Sequence, residues 1–311
     1  MGLLVIGDVV TDVVALHHAP VRGGTDTEAD IALRPGGSGA NTAAWAAHLG
    51  ADARLLARAG YDTADWHRAE LVRAGVRPHL TVDREHPTAV VIAMVDATGE
   101  RSFLTNRGAS RQLGPADWSD DLLDGVRHLH LSAYTLFATP GLELVRVAIQ
   151  AAKGQGVTIS VDPASTGFLR DFGVARFLRE TAEASIVIPN RDEALLLTGE
   201  TEPEAAAASL SDRYGTAAVK LGAAGALLAE HGGIVSRAPC RTLGVPGETV
   251  SPTVDTTGAG DAFAAGFLAA RLAGFPAPES VEAGCRAGAE AVGGVGGRPR
   301  GRSAPREALP Y

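Results

Sequence analysis

Cysteine is scarce in this chain: Cys240 and Cys285 are the only two among 311 residues. They have neither the density of a disulfide framework nor the spacing of metal ligands. A disulfide-stapled scaffold and a zinc ribbon are therefore excluded, and both thiols are expected to be reduced and packed. Lysine is equally rare, with only Lys153 and Lys220. Because arginine replaces it almost everywhere, the Arg/Lys choice carries little chemistry. No dense basic block is present. Arg298, Arg300 and Arg302 come nearest, separated by proline and glycine, and the formal net charge is −8. Backbone binding to nucleic acid needs clustered positive charge, so nucleic acid is not an expected partner. No apolar run approaches the ~20 residues of a membrane span. The start, Met1 to Asp8, has no charged leader and meets an acid at its eighth residue. It reads as a buried strand rather than a signal peptide, and the cytoplasm is the expected location.

What is present is an ordinary globular composition, 45% hydrophobic and 21% charged, enough to build a core without metals. Leu3 to Ile6 is an apolar run ending in Gly-Asp, a strand with Asp8 at its C-terminal end. Thr11 to Arg34 alternates weakly and carries no helix signal. The Ala-rich segment Thr42 to Leu49 reads as a helix stopped by Gly50, Ala53 to Ala57 as a strand, and Asp65 to Arg73 as a helix closed by Gly75. Thr88 to Asp96, the turn 97–100 and Arg101 to Thr105 read as a hairpin. From Val126 onward strands and helices alternate. Strands are expected at 126–131, 157–162, 185–189 and 217–221, and Ala226 to Glu230 starts a hairpin. Helices are expected at 142–155, 174–182, 193–197, 203–214, 257–272 and 281–292. The pattern predicts one α/β domain, 1–311, on a doubly wound and mostly parallel sheet flanked by helices, with ligands at the C-terminal strand ends. The β-rich pieces at about 11–34 and 86–107 fall outside that alternation. They are expected to form a small β-sheet at the side, a lid.

The sharpest chemical signal is Asp255-Thr256-Thr257-Gly258-Ala259-Gly260-Asp261, just before a helix. Glycines at a helix start let backbone N–H groups converge on an anion, and the helix dipole adds positive potential. Asp261 beside such a hole suits a base that takes a proton from a hydroxyl attacking a bound phosphoryl group. A dipole-favoured N-terminal acid is the plainer explanation of that segment alone. Asp8 at a strand end can accept two hydrogen bonds from a vicinal diol, and Asn41 can both donate and accept.

Four segments in order carry a family resemblance over nearly the whole chain. Asp255–Phe263 resembles the C-terminal signature of the PfkB carbohydrate kinases, and Gly36–Asn41 their di-glycine signature. Pro189–Glu193 resembles their Asn-x-x-Glu segment, and Lys220–Gly225 their strand-turn-strand beside the nucleotide. The resemblance implies a ribokinase-like fold and transfer from ATP with Mg²⁺. It implies Asp261 as the base, with the N–H groups of Gly258, Ala259 and Gly260 as the anion hole. It places Asp8, Gly37, Ser38 and Asn41 at the substrate, and Asn190, Lys220, Gly222 and Gly225 along the nucleotide. Glu193 would act at the Mg²⁺–phosphate region through water. Asp255, with the loop Val292–Gly297, would hold a monovalent cation such as K⁺. Two departures concern the substrate. Ser38 stands where ribokinases proper hold lysine. The segment His130-Leu131-Ser132-Ala133-Tyr134 has no acid where those enzymes place one near the anomeric carbon. An aromatic, Tyr134, leaves room for a substituent there and can stack on a base. The expected acceptor is the primary hydroxymethyl of a nucleoside, pseudouridine by closest likeness, with hexose, fructose-like sugars and 2-keto-3-deoxygluconate as alternatives.

Other chemistries fail on spacing. There is no Gly-x-x-x-x-Gly-Lys-Ser/Thr loop, no Gly-x-Ser-x-Gly elbow at Ser38, and no third glycine at dinucleotide spacing after Gly260. His17-His18 and His128-Leu129-His130 lack partner ligands. A non-catalytic sugar or nucleotide sensor on the same fold has no use for an intact base at Asp261. A nucleoside hydrolase would need an aspartate cluster that Asp8 does not belong to. Exposed lid strands invite a second copy, so a homodimer is expected.

Overall fold

The computed structural model describes residues 2–17, 19–95, 101–240 and 255–299. The first strand, β1 (Gly2–Ile6), is buried along its whole length. It is followed by β2 (Val10–His17), β3 (Ala29–Gly36), α1 (Ser38–His48), β4 (Asp52–Gly60), α2 (Ala64–Arg73), β5 (Arg77–Asp83), β6 (Ala89–Val95) and β7 (Arg101–Asn106). Next come β8 (Val126–Ser132), α3 (Thr139–Gly154), β9 (Thr158–Asp162), α4 (Thr166–Phe172), α5 (Val174–Glu180), β10 (Ile186–Val187), α6 (Arg191–Thr198) and α7 (Pro203–Tyr214). The chain ends in β11 (Thr216–Lys220), β12 (Ala226–Glu230), β13 (Gly233–Ala238), α8 (Ala259–Leu272) and α9 (Ala277–Ala291). The turn expected at 97–100, and Arg300 and Arg302, lie outside the described residues.

Nine strands form the main sheet in the order β13-β12-β11-β10-β9-β8-β1-β4-β5. The pairs from β11 to β5 are parallel, and β12 and β13 add an antiparallel edge. From β1 the chain first runs outward through β4 and β5. It then returns to the other side of β1 and builds outward through β8, β9, β10 and β11. The strand order therefore reverses between β1 and β8, the place where open α/β sheets bind ligands. Alternate side chains of the central strands feed two cores. Leu4, Ile6, Leu129 and Val161 join one with α3 and α7, while Leu3, Val5 and Leu55 join the other with α1, α8 and α9. Burial on both faces is why these strands read as continuous apolar runs rather than alternating ones. His128 and His130 face the second core, both hydrogen-bonded to the Ser160 hydroxyl at 2.7 Å. Burial lowers their pKa values to about 3 and about 4, so both are neutral. They serve packing and hydrogen bonding, and no group of three metal-ligating side chains occurs among the described residues.

A separate four-stranded sheet, in the order β3-β2-β6-β7, stands beside the main one. It joins the two β-rich sequence segments, pairing β2 with β6 in parallel and each with its own neighbour antiparallel. Partnered residues share a face. One face carries Asp12, Val91 and Thr105 toward the main domain's cavity. The other carries a continuous apolar row, Leu33–Val13–Ile92–Leu104. Several helices start a few residues from their sequence signals, by as much as four at α1 and α9. α1 begins at Ser38 rather than Thr42 because Asp8 captures its first turn. The Asp8 carboxylate accepts the Gly39 N–H at 3.1 Å, and the Asp8 carbonyl accepts the Ala40 N–H at 3.2 Å. The run Ala226–Glu230 forms β12 and pairs antiparallel with β13, the hairpin expected there, whereas periodicity does not register the short α4 or the partly exposed β5. No helix among the described residues is long and apolar enough to cross a membrane.

Candidate active site

A cavity of about 490 Å³ opens at the C-terminal ends of the central strands. On one side the first turn of α8 presents Asp261. Gly258 caps that helix in the left-handed region (φ 74°), and a Cβ there would come within 2.5 Å of the Gly297 Cα. Only glycine meets both demands. Asp261 Oδ1 accepts the Ser38 hydroxyl at 2.8 Å, and Oδ2 accepts the Asn41 Nδ2–H at 2.9 Å. Burial pushes the Asp261 carboxyl up to about 7. Asp162 adds to the rise, while the Asn41 and Ser38 hydrogen bonds and the Lys220 charge pull it back. Asn41 Oδ1 is buried without a partner.

Facing this helix start is a charged cluster from two strand ends and the first turn of α6. Lys220, closing β11, donates to Asp162 Oδ2, closing β9, at 2.5 Å. A Cβ on Gly260 would sit 3.5 Å from Lys220 Nζ, so the ammonium lies against the first turn of α8. Burial alone would lower the Lys220 pKa, but Asp162 and Glu193 outweigh it and raise it. Lys220 is thus a fixed cation and not a surface lysine. Asn190 and Glu193 form the capping box of α6. Asn190 Oδ1 accepts the Glu193 N–H at 2.9 Å, while Glu193 accepts Asn190 N–H at 2.9 Å and Nδ2–H at 2.6 Å. Burial raises the Glu193 carboxyl to about 7, reinforced by Asp162.

The remaining wall joins the small sheet to the loop after β8. Asp8 is raised by burial, and its hydrogen bond from Gly39 and the Arg107 charge oppose that. Asp12 lies on the inner face of the small sheet, raised to about 7 by burial and then by Asp8. A Cβ on Gly36 would fall 2.1 Å from Asp12 Oδ2, so the first glycine of the di-glycine pair makes space for this carboxylate. Tyr134 stands edge-on to Phe168 (centroids 5.6 Å apart, 81°), and Phe137 stacks on Phe168 at 5.5 Å. Burial raises the Tyr134 phenol, as do Asp8 and Asp261.

Twelve of the residues singled out in the sequence line this one cavity: Asp8, Gly37, Ser38, Asn41, Tyr134, Asn190, Glu193, Lys220, Gly222, Gly258, Gly260 and Asp261. Three do not. Ala259 turns its N–H back onto the Thr256 carbonyl at 3.3 Å, and Gly225 packs against the Ala238 carbonyl. The Asp255 carboxylate accepts the Thr257 N–H and O–H and the Gly296 N–H, stitching its segment to the 292–297 loop. The sequence reading missed Asp12, Asp162, Arg107 and Phe168. Asp162 carries the same mark as Asp8, an acid ending an apolar strand, and was legible. Asp12 is an acid inside a half-buried strand, a weaker version of that mark.

The family model for pfkB family carbohydrate kinase matches residues 2–301. The chain belongs to that family. It is a sugar or nucleoside kinase of the PfkB type. An ATP-dependent ribose-1-phosphate kinase of Halopiger xanaduensis is 34% identical over 85% of this chain and 82% of its own length. The adenosine kinase of Sinorhizobium meliloti superposes with a TM-score of 0.83, covering 96% of this chain and 95% of that one at 26% identity. A ribokinase from Thermotoga maritima superposes with a TM-score of 0.78, covering 95% and 94% at 24% identity, so this PfkB kinase has the ribokinase-like fold.

Proposed function

We propose that this PfkB kinase transfers the γ-phosphoryl group of ATP to the primary hydroxymethyl of a ribofuranoside, a nucleoside such as pseudouridine. The observation that carries the reaction is the placement of Asp261. Its carboxylate sits on the first turn of α8, held by Ser38 and Asn41, in a cavity that also holds the Lys220–Asp162 pair. A carboxyl raised to about 7 is matched to taking a hydroxyl proton near neutral pH. The Gly258 and Gly260 N–H groups and the α8 dipole face the phosphoryl oxygens, with Lys220 adding a point charge. Asn190, Gly222 and Lys220 run along the nucleotide.

Asp8, Asp12 and Asn41 take the sugar hydroxyls, with Gly37 giving close backbone approach. The unpartnered Asn41 Oδ1 is an acceptor of the kind a hydroxyl donor satisfies. Asp162 and Glu193 fit Mg²⁺, because burial and then the neighbouring Asp162 raise the cost of ionising Glu193, and a dication removes it. When bound, Mg²⁺ would neutralise charge on the phosphates. Glu193 would reach it through water, since both its oxygens already accept from Asn190. A monovalent cation near Asp255 would rest chiefly on backbone carbonyls of the 292–297 loop, since the carboxylate already accepts three hydrogen bonds. The small sheet acts as the lid that excludes water, and its outer apolar row supports a homodimer.

The substrate reading rests on the aromatic wall of Tyr134 and Phe168 and on the absence of a carboxylate beside Tyr134 in sequence. A second reading, ribose 1-phosphate, is favoured by the 34% identical relative. The test is ADP release from ATP·Mg²⁺ with ribose, fructose, 2-keto-3-deoxygluconate, adenosine, uridine, pseudouridine and ribose 1-phosphate. One strong acceptor among the ribofuranosides supports the proposal; a strong preference for fructose or 2-keto-3-deoxygluconate overturns it.

A further inference from the structure

Among the described residues, Arg107 is the one strong charge on the aromatic wall that the proposed phosphoryl-transfer machinery does not use. It follows the last lid strand, β7, and its guanidinium crosses to the loop after β8. Nη1 donates to the Phe137 carbonyl at 3.1 Å and Nη2 to the Tyr134 carbonyl at 2.5 Å. The guanidinium carbon lies 5.6 Å from the centre of the Phe168 ring. Those bonds and that ring fix the plane of the fork. A guanidinium carries five N–H donors, so two carbonyls leave donors over for a ligand. Thr135 lines the same stretch of cavity, and its buried hydroxyl has no hydrogen-bond partner.

Asp261 is bonded to Ser38 and Asn41 on the first turn of α1, whereas Arg107 is bonded to the Tyr134 and Phe137 carbonyls after β8, so different elements of the cavity wall hold the two groups. With the hydroxymethyl at Asp261 and the sugar hydroxyls at Asp8 and Asp12, Arg107 meets the far side of the ring. There an oriented guanidinium, an unpaired hydroxyl and two aromatic rings meet. Such a wall takes a substituent that offers oxygen acceptors, and it offers little to a bare anomeric hydroxyl.

Resting on the ribofuranoside reading above, we propose that Arg107 is the specificity-determining residue of this kinase, recognising oxygen acceptors on a substituent at the anomeric carbon. Two sources share that chemistry, the carbonyls of a dioxopyrimidine base and the oxygens of a phosphate. A planar base gains the Phe168 and Tyr134 rings as well; a phosphate gains charge.

The experiment measures kcat/KM of the full-length protein, wild type, Arg107→Ala and Arg107→Lys, with pseudouridine, uridine, ribose 1-phosphate and ribose. The readout is the ratio of each substituted acceptor to ribose. In Arg107→Ala that ratio is expected to fall roughly 10–100-fold for the preferred acceptor, the size of a lost hydrogen bond to a charged group. A fall confined to uracil nucleosides identifies base carbonyls, and one confined to ribose 1-phosphate identifies phosphate. Arg107 also ties the lid to the body, and loss of that tie alone would lower every acceptor in parallel. A parallel fall, or an unchanged ratio, overturns the proposal while leaving the kinase reading intact. If Arg107→Ala does not fold, Arg107→Lys reads the same ratio: it keeps the charge and loses the planar fork. A wild type that phosphorylates none of the four overturns the ribofuranoside reading and this proposal with it.

Discussion

Asp261 and Asn41 are 220 positions apart in the chain, yet Asn41 donates a hydrogen bond of 2.9 Å to the Asp261 carboxylate. Ser38 holds the other oxygen. The first turn of α1 thus grips the first turn of α8 across the mouth of the sheet. Asn41, proposed to hold a sugar hydroxyl, also holds the proposed base, so substrate arrival and base orientation share one hydrogen-bond network. Asp261→Asn preserves the size of the side chain and can still pair with Ser38. We expect it to fold and bind ATP while turnover falls ~10²–10⁴-fold, the usual cost of losing a general base. Coupled ADP-release kinetics and ATP titration of the same preparation check this. Near-normal turnover would remove Asp261 from the role of base.

A base raised to about 7 gives a defined pH dependence. kcat/KM is expected to fall with an acid limb near pH 7, because the protonated carboxyl cannot accept the hydroxyl proton. Asn41→Ala deletes a bond that lowers this pKa, so the limb moves to higher pH. Stability follows the opposite course. Asp12, Glu193 and Asp261 all have folded pKa values above their unfolded ones. Between about pH 4 and pH 7 the folded state therefore holds more protons, and these three groups make the ligand-free protein less stable as pH rises. Asp261→Asn, which cannot ionise, should raise Tm relative to wild type at pH 8 and have little effect at pH 4.5. Calorimetry at the two pH values reads the difference directly; equal shifts at both would refute it.

Lys220 and Asp162 form a pair that is nearly closed to solvent, 13% and 8% exposed at the side chain. Removing one member of such a pair strands the other charge, at a cost of ~3–5 kcal/mol. Lys220→Met is therefore expected to lower both stability and ATP affinity, leaving Asp162 unpaired beside Glu193. Adding Asp162→Asn should restore most of the stability and none of the turnover. Urea denaturation of the single and double variants separates the two effects, and additive losses would sink the pairing argument.

The fold was legible where the physics is local. Continuous apolar strands, Ala-rich helices and glycine stops were read from periodicity, and the two β-rich segments stood out as misfits to the alternation. Pairing between β2 and β6 was not legible, because parallel pairing of strands about 80 positions apart leaves no local mark. The same limit applies to the site. Asp8, Asn41 and Asp261 belong to motifs, and the structure gathers them in one cavity. Arg107 is held by backbone carbonyls of Tyr134 and Phe137, which any sequence provides. Asp255 and Gly225 lie in equally clear motifs yet line no part of the cavity, since their neighbours are the 292–297 loop and the β13 end. A motif marks a backbone arrangement first, and only some of its members face the ligand.

The two faces of the small sheet differ in character. Its inner face carries Asp12 toward the cavity, so its outer face has no core of its own to cover. There Leu33 is 61% exposed and Leu104 58%, at opposite edges of a row completed by Val13 and Ile92. Ile31, 67% exposed, extends it on β3. A four-strand apolar row of this kind is a surface that water disfavours and a matching sheet would bury. Two copies related by a twofold axis present identical rows, so the face is self-complementary. The proposed homodimer should form through it, and Leu33→Asp or Leu104→Asp should shift the protein to monomer in sedimentation velocity. Because the same strands carry Asp12, dissociation should also raise KM for the sugar more than for ATP. A wild-type protein that is monomeric at all accessible concentrations would remove this role from the row.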